Sequence, residues 1–307
     1  MQRLILVPEL FLAKTAVTDR WLHFFNRLKE DLGFGIQSIK SSPDIESDTK
    51  LILTCTVPRL AHINTKLLGL LGNDVKLIVF IVDTHKRDVN FDPHVEALLK
   101  RADCILGTDA ENFETSWTQY KAKHVFFPTF FAPHERYVSI PFNEKPKMKC
   151  LLSGAISKHY PLREFIAGEV KRHPKYQKMI DILPHPGVQG ANKKSAVTRE
   201  GYAKLLNSYF CAIATPALKC VVSRYFEIPA VGTLLLAEQV RDFDRLEFVP
   251  YRHYEPITKE TVFERIRNCL DHPDRFNDTR RKTMQYVRGY HNINNRAREF
   301  EKIVEGL

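Results

Sequence analysis

The chain has 307 residues, 44% hydrophobic and 27% charged, without a low-complexity tract, a globular composition with room for two domains of ordinary size. No apolar run approaches the roughly eighteen residues a membrane-spanning helix needs, and the apolar core of MQRLILVPEL is too short for a signal peptide, so an intracellular, cytoplasmic protein is expected. The net charge of +10 is uneven: residues 1–145 carry 18 Lys and Arg against 18 Asp and Glu, and residues 146–307 carry 28 against 18.

Residues 3–7 are an apolar run that predicts a first strand, stopped by Pro8. Thr18 or Asp19 can cap a helix to about Leu32, with Trp21, Phe24, Phe25 and Leu28 on its apolar face. Gly33 stops it. Strands are expected over 35–39 and 51–54, then a helix over 59–71. The run KLIVFIV at 76–82 is the kind of strand that lies in the middle of a parallel sheet covered on both faces. A helix over 93–101, a strand over 104–107, a helix over 110–120 and a strand over 124–127 complete a doubly wound α/β pattern.

Pro128, Pro133, Pro141 and Pro146 break that pattern, and 128–147 is expected to connect two domains. The alternation then restarts. A strand is predicted over 149–153, a helix over 161–172 with Pro161 in its first turn, a strand over 180–183, a helix over 198–207 and a strand over 210–215. A short helix follows over 224–230, and Gly232 ends it in the left-handed conformation. Strands over 233–237 and 246–251 and helices over 258–271, 273–289 and 295–307 close the chain. The expected fold is α/β: two doubly wound Rossmann-like domains facing a cleft at the carboxyl ends of their strands. The domains would span 1–145 and 146–290, with 291–307 as a terminal helix. Neither has G-x-G-x-x-G or G-x-x-x-x-G-K-[ST], which excludes an ordinary dinucleotide enzyme and a P-loop NTPase. The six cysteines are scattered without a C-x-x-C pair and are expected to be buried thiols.

Within 223–237, SRYFEIPAVGTLLLA, Arg224 and Glu227 are three apart and share one helix face. A cation and a carboxylate so placed suit a ligand with a phosphate and a sugar hydroxyl; an isolated R-x-x-E would be a structural ion pair. At 153–163, SGAISKHYPLR, a strand end opens a helix, and its free N–H groups and dipole suit a phosphate. Gly154 allows close approach, and Lys158 and Arg163 add charge; alone, the segment would be a tight turn with solvated basic residues. His185-Pro186-Gly187 is either a plain turn or a loop beside a nucleotide base. Asp83 and His85, at the end of the central strand, can bind acceptor hydroxyls or remove an acceptor proton, imidazole being near the needed pKa without tuning. They are otherwise a capping Asp and an exposed His. Asp242-Phe243-Asp244 has D-x-D spacing but lies in a polar loop expected to be solvated. No histidine pair suggests zinc, and no metal is expected.

The run S-R-x-F-E-I-P-A-x-G-T-L-L-L-A-E from Ser223 resembles the nucleotide-sugar motif of GT-B glycosyltransferases. It is most similar to the spore-maturation-protein-B-like, glycosyl transferases group 1 branch. An S-G strand end followed by Y-P-x-R, here Ser153-Gly154 and Tyr160 to Arg163, recurs in that branch. The tail Tyr290-His291-Asn292 with Arg296 is similar to its H-T-x-x-x-R-like element. The resemblance spans about 149–300, and over 1–145 it touches only the region of Asp83. It implies Glu227 on the ribose hydroxyls and Arg224 near the diphosphate. Gly154, Lys158, Arg163, His185, Gly232 and Thr233 would be on the donor, and Asp83 and His85 on the acceptor side. Tyr202 is taken as a packing residue. The C-terminal helix would cross back onto the first domain.

The activity so implied moves a hexosyl or pentosyl group from a nucleotide-diphosphate sugar to an acceptor hydroxyl on a glycan, protein, lipid or modified nucleic-acid base, without cofactor or metal. One departure matters. Retaining relatives carry a second Glu eight positions before the one matched by Glu227, and here that position is Lys219. The stereochemistry stays open. With retention, a donor phosphate oxygen accepts the acceptor proton and Arg224 and Lys158 stabilise the leaving diphosphate; with inversion, Asp83 or His85 is the base. The basic second half also suits a membrane surface or nucleic acid. The alternative is therefore a non-catalytic binding protein for such a surface on a degenerate GT-B fold. It ranks lower because no aromatic-interleaved basic repeat or RNA-module motif is present. A sugar-nucleotide epimerase would need acid and base groups that the motifs do not supply.

Overall fold

The structure, a computed structural model, describes residues 2–12, 19–39, 45–57, 60–82, 92–128, 135–184, 199–216 and 220–307. They fall into two compact units, Met1–Thr129 with Ile293–Leu307, and Phe130–Asn292.

The first unit holds a six-stranded parallel sheet: β1 (Gln2–Val7), β2 (Phe34–Ser38), β3 (Thr49–Thr56), β4 (Lys76–Ile81), β5 (Cys104–Gly107) and β6 (His124–Phe126), in the order β2-β1-β3-β4-β5-β6. Side chains of β4 alternate between its faces. Leu77, Val79 and Ile81 join a core with Val95, Leu98 and Leu99 of helix α3 (Pro93–Arg101). Phe80 points the other way, 5.1 Å from Trp21 of helix α1 (Asp19–Leu32). Both faces are thus apolar, which is why the strand reads as an unbroken hydrophobic run.

The stretch 59–71 is not one helix. Helix α2 covers only Ala61–Asn64, and a 3-10 helix takes Thr65–Leu70. The buried Asn64 amide donates to Thr54 Oγ1 at 2.6 Å and to the Cys55 carbonyl at 3.1 Å, which ties the short helix to β3. Likewise 110–120 divides into α4 (Ala110–Ser116) and a 3-10 turn over Thr118–Lys123, parted by buried Trp117 in a non-helical conformation. The last helix of the chain, α13 (Ile293–Glu305), belongs to this unit. Its Phe300 lies 6.1 Å from Phe24 and 5.8 Å from Phe34, and Arg296 Nε donates to the Pro128 carbonyl at 3.0 Å.

The second unit is built on β7 (Lys147–Gly154), β8 (Ile180–Pro184), β9 (Tyr209–Ala214), β10 (Leu234–Ala237) and β11 (Glu255–Pro256), all parallel, in the order β11-β10-β9-β7-β8. The first strand, β7, lies between the second and the third, so the order reverses between β7 and β9. That is the position where open α/β sheets hold ligands, beyond the carboxyl ends of the strands. Helix α6 (Pro161–Arg172) and helix α11 (Val262–Asp271) pack Ile166 and Ile266 with Leu152, Ile213 and Leu236 in one core. Helix α12 (Asp274–Tyr290) packs on helix α9 (Arg224–Ala230). Helix α8 (Arg199–Asn207) precedes β9, and α7 (Pro174–Met179), unexpected from the sequence, precedes β8.

Two arginines of α12, the buried Arg280 and the half-buried Arg288, anchor the C-terminal end of α9. Arg280 Nε donates to the Gly232 carbonyl at 2.9 Å and Arg288 Nε to the Ala230 carbonyl at 2.7 Å, supplying partners for carbonyls that a helix end leaves open. The same side chains reach the Asn143, Tyr137 and Ile140 carbonyls. This is why residues 135–145, including helix α5 (Glu135–Val138), fall in the second unit rather than in a first domain ending at 145. Two further expectations are corrected. Residues 246–251 are not a strand: Glu247 and Tyr251 have φ of 54° and 63°, which folds the segment back on itself. Nor is Asp242-Phe243-Asp244 a solvated loop, for it forms helix α10 (Asp242–Arg245) with Asp242 and Phe243 buried. All six cysteines are free and buried. No described helix is long and apolar enough to cross a membrane.

Candidate functional site

At its carboxyl end β7 runs into Ser153 and Gly154, and Gly154 has φ +113°, a conformation that L side chains rarely adopt. A Cβ there would lie 2.6 Å from Arg224 Nη2 and 2.7 Å from Arg163 Nη1. Two guanidinium groups therefore converge on the one backbone position with no side chain. Arg163, in the first turn of α6, turns back beneath the strand end. Its Nη1 donates to the Ala155 carbonyl at 2.8 Å and its Nη2 reaches the Thr215 carbonyl at 3.4 Å. It thus bridges the ends of β7 and β9 across the point where the strand order reverses. Arg224, at the start of α9, donates from Nε to Ser153 Oγ at 3.2 Å. Ser153 Oγ lies 2.7 Å from the Tyr202 hydroxyl.

The electrostatics are those of a site short of negative charge. Arg163 is only 1% exposed, and its Nε has no partner. Burial, then the charge on Arg224, pushes its pKa down to about 10. The Tyr160 ring lies 4.1 Å below its guanidinium, a cation–π contact that makes the charge tolerable without a carboxylate. Burial also opposes the charge on Arg224, but the Tyr202 phenol and the Glu227 carboxylate outweigh it and hold its pKa above the ordinary arginine value. Glu227 sits one turn along α9, half-buried, and accepts from the buried Tyr137 phenol, whose pKa is raised by burial and then by that carboxylate. The Thr215 hydroxyl at the end of β9 is buried without a partner.

Of the residues singled out from the sequence, Gly154, Arg163, Arg224 and Glu227 are brought together. Lys158 is exposed in the loop between β7 and α6. Gly232 and Thr233 serve packing. Gly232, at φ +76°, would place a Cβ 2.7 Å from Phe142 Cδ2, and Thr233 Oγ1 donates to the Leu206 carbonyl at 2.6 Å. Asp83, His85, His185 and Lys219 lie outside the described residues. Tyr202 is not simply a packing residue, because its phenol holds both Ser153 and Arg224. Tyr160 was read only as part of the Y-P-x-R element, with no role of its own, and Tyr137 and Thr215 were not singled out from the sequence. Thr215 ends a predicted strand, which was a usable signal; nothing local marks Tyr137, which precedes β7 and reaches Glu227 only through the fold. Among the described residues no cluster of His, Cys, Asp or Glu could hold a metal ion.

The fold is shared with solved glycosyltransferases. An alpha-glucosyltransferase in complex with UDP-glucose and DNA containing an abasic site is 13% identical, with 99% of each chain covered and a TM-score of 0.67. The alpha-glucosyltransferase in complex with UDP is 14% identical, with 99% of this chain and 100% of that one covered and a TM-score of 0.65. Sucrose-phosphate synthase from Thermosynechococcus elongatus is 11% identical, with 100% and 99% covered and a TM-score of 0.69. At these identities the likeness is one of fold, and it identifies both units as the GT-B architecture. No curated protein sequence gives a significant match. The model of the glycosyl transferase-like family matches residues 144–302, more than half of the chain and all of the site around Gly154, and the chain belongs to that family.

Proposed function

We propose that the chain transfers a sugar from a nucleoside-diphosphate sugar to an acceptor hydroxyl, with the donor held over Gly154. The observation that carries this is the pair of guanidiniums, Arg163 and Arg224, meeting at a side-chain-free backbone position at the carboxyl end of β7. A diphosphate is the ligand whose charge such a pair matches, and arginine forks suit phosphate oxygens. Glu227, on the same helix face as Arg224, is placed to accept hydrogen bonds from the ribose hydroxyls. Transfer breaks the bond between the anomeric carbon and the diphosphate, and negative charge grows on the leaving group. Arg163 and Arg224, held in place before the reaction, stabilise that charge without reorganising. In this scheme they do the work that a divalent metal does elsewhere, so no metal is required. Lys158 adds charge from the loop.

UDP is the first nucleotide to test, because the alpha-glucosyltransferase structures of similar fold hold UDP or UDP-glucose. The sugar is a hexosyl or pentosyl group. The acceptor is a glycan, protein, lipid or modified nucleic-acid base, and with inversion Asp83 or His85 is the base that takes its proton. The test is a thermal-shift screen of UDP, GDP, ADP, CMP and dTDP and their sugars against wild type, Arg224→Met and Glu227→Ala. Ligand that binds the folded state raises the midpoint. A shift with one nucleotide that both variants lose supports the donor site. A folded wild type that shifts with none of them refutes it.

A further inference from the structure

The end of the second unit opposite the guanidinium pair carries a different concentration of charge. Residues 145–149 and 171–181 hold seven Lys and Arg and a single Asp. The fold brings these two segments together. The parallel strands of the unit all begin at this end, β7 pairs with β8 from Cys150 to Ile180, and α7 packs on β7 and β8. Neighbouring carboxylates are already taken. Asp181 faces Lys149 at 2.7 Å, Glu169 faces Arg172 at 2.9 Å and His173 at 3.3 Å, and Glu144 pairs with Arg281. Among the described residues Lys145, Lys147, Lys171, Lys175 and Lys178 form no ion pair, and all are exposed.

Helix stability accounts for only part of this. Lys171 lies in the last turn of α6, where a cation complements the helix dipole. Lys175 is in the first turn of α7, the wrong end for a cation, and no acid accompanies it there. Lys145 and Lys147 precede or open a strand and complement no dipole. In the midst of these charges Met148 is 44% exposed, between Lys147 and Lys149.

We propose that this face docks the second unit on an anionic lipid surface. Three features favour lipid over nucleic acid. The unpaired cations are all lysines, point charges without the planar fork that reads phosphate and base edges bidentately. An exposed methionine at the end of the sheet that carries these lysines can enter the headgroup layer while the lysine stems reach along the surface. The patch also offers no free aromatic face for base stacking: the Tyr176 ring stacks on Phe263 at 3.9 Å, and Tyr209 is buried under the Lys147 ammonium at 4.9 Å. The face lies at the amino ends of the strands whose carboxyl ends bear Arg163 and Arg224, so docking leaves that site uncovered.

The test is co-sedimentation of the full chain with 100 nm vesicles. One set contains about 30% phosphatidylglycerol in phosphatidylcholine and the other is phosphatidylcholine alone. Each lysine near an anionic surface multiplies partitioning about fivefold. The variant Lys147→Glu/Lys171→Glu/Lys175→Glu/Lys178→Glu is therefore expected to lose on the order of 100-fold or more in binding to the anionic vesicles. Its circular dichroism and thermal midpoint establish that it folds. Met148→Ser, a neutral change, is expected to weaken vesicle binding severalfold at unchanged salt dependence. Equal binding to both vesicle types, or binding by the fourfold variant as tight as wild type, overturns the proposal. So does binding to duplex DNA tighter than to the anionic vesicles and indifferent to Met148→Ser, which assigns the face to nucleic acid.

Discussion

Gly154→Ala is the most direct probe of the guanidinium pair. The substitution puts a methyl group 2.6 Å from Arg224 Nη2, 2.7 Å from Arg163 Nη1 and 2.8 Å from Arg224 Cζ. These are the far ends of long side chains, so they can yield, and the steric cost to folding is small. The backbone cost is not avoided, since an L residue at φ +113° costs about 1–3 kcal/mol. For a protein of this size that lowers the melting midpoint by about 2–5 °C. Binding suffers far more. The methyl occupies the space over which both guanidiniums converge, and a charge-assisted hydrogen bond contributes about 1.5–3 kcal/mol. Displacing one weakens a diphosphate about 10- to 100-fold, and displacing both weakens it on the order of 100-fold or more. Titration calorimetry of Gly154→Ala with whichever nucleotide shifts the wild type measures this. An affinity within twofold of wild type, in a variant whose midpoint falls as expected, would refute the placement of the diphosphate over Gly154.

Gly232→Ala makes the contrast. Its Cβ would meet the Phe142 ring at 2.7 Å and Met284 Sδ at 3.1 Å in a packed region, so the midpoint should fall while nucleotide affinity holds; lost affinity at an unchanged midpoint would place the donor against Gly232 after all. Glu227→Gln should weaken a ribonucleotide about tenfold and its 2′-deoxy analogue much less, because a carboxylate that grips the ribose diol has less to grip in the analogue; equal losses in calorimetry would remove Glu227 from the ribose. Arg163 predicts a pH dependence. Its pKa of about 10 lies below the ordinary arginine value of 12.5, so between those values the folded protein holds fewer protons than the unfolded one. Its contribution to stability therefore rises with pH across that window, whereas affinity for a diphosphate falls. Calorimetry near pH 10 in buffers of different ionisation enthalpy should show proton uptake on binding, on the order of half a proton, absent in Arg163→Met. Uptake that persists in Arg163→Met would assign it to another group.

Much of the fold was legible along the chain because its signals are local. An apolar run such as 76–81 can be buried on both faces only in the middle of a covered sheet, and Pro161 in the first turn of α6 is a local preference of the backbone. Arg224 and Glu227 three apart on a helix, and Gly154 after a strand, could be picked out for the same reason: helix period and strand ends are properties of adjacent residues. Other features depend on distant partners. The turn at 246–251 is apolar enough to be a strand, but Glu247 and Tyr251 in the left-handed region send it back on itself. Asp242 is buried by its surroundings, not by its sequence. The same holds for the site. Its residue types could be read in order, whereas only the tertiary structure decided that Arg163 and Arg224, 61 positions apart, close on one glycine, with Tyr202 and Ser153 fixing the second of them. It also turned Gly232 and Thr233 to packing. The physical reason is common to all of these. Backbone preference is set by neighbours in sequence, but burial, charge balance and the partner of each hydrogen bond are set by neighbours in space.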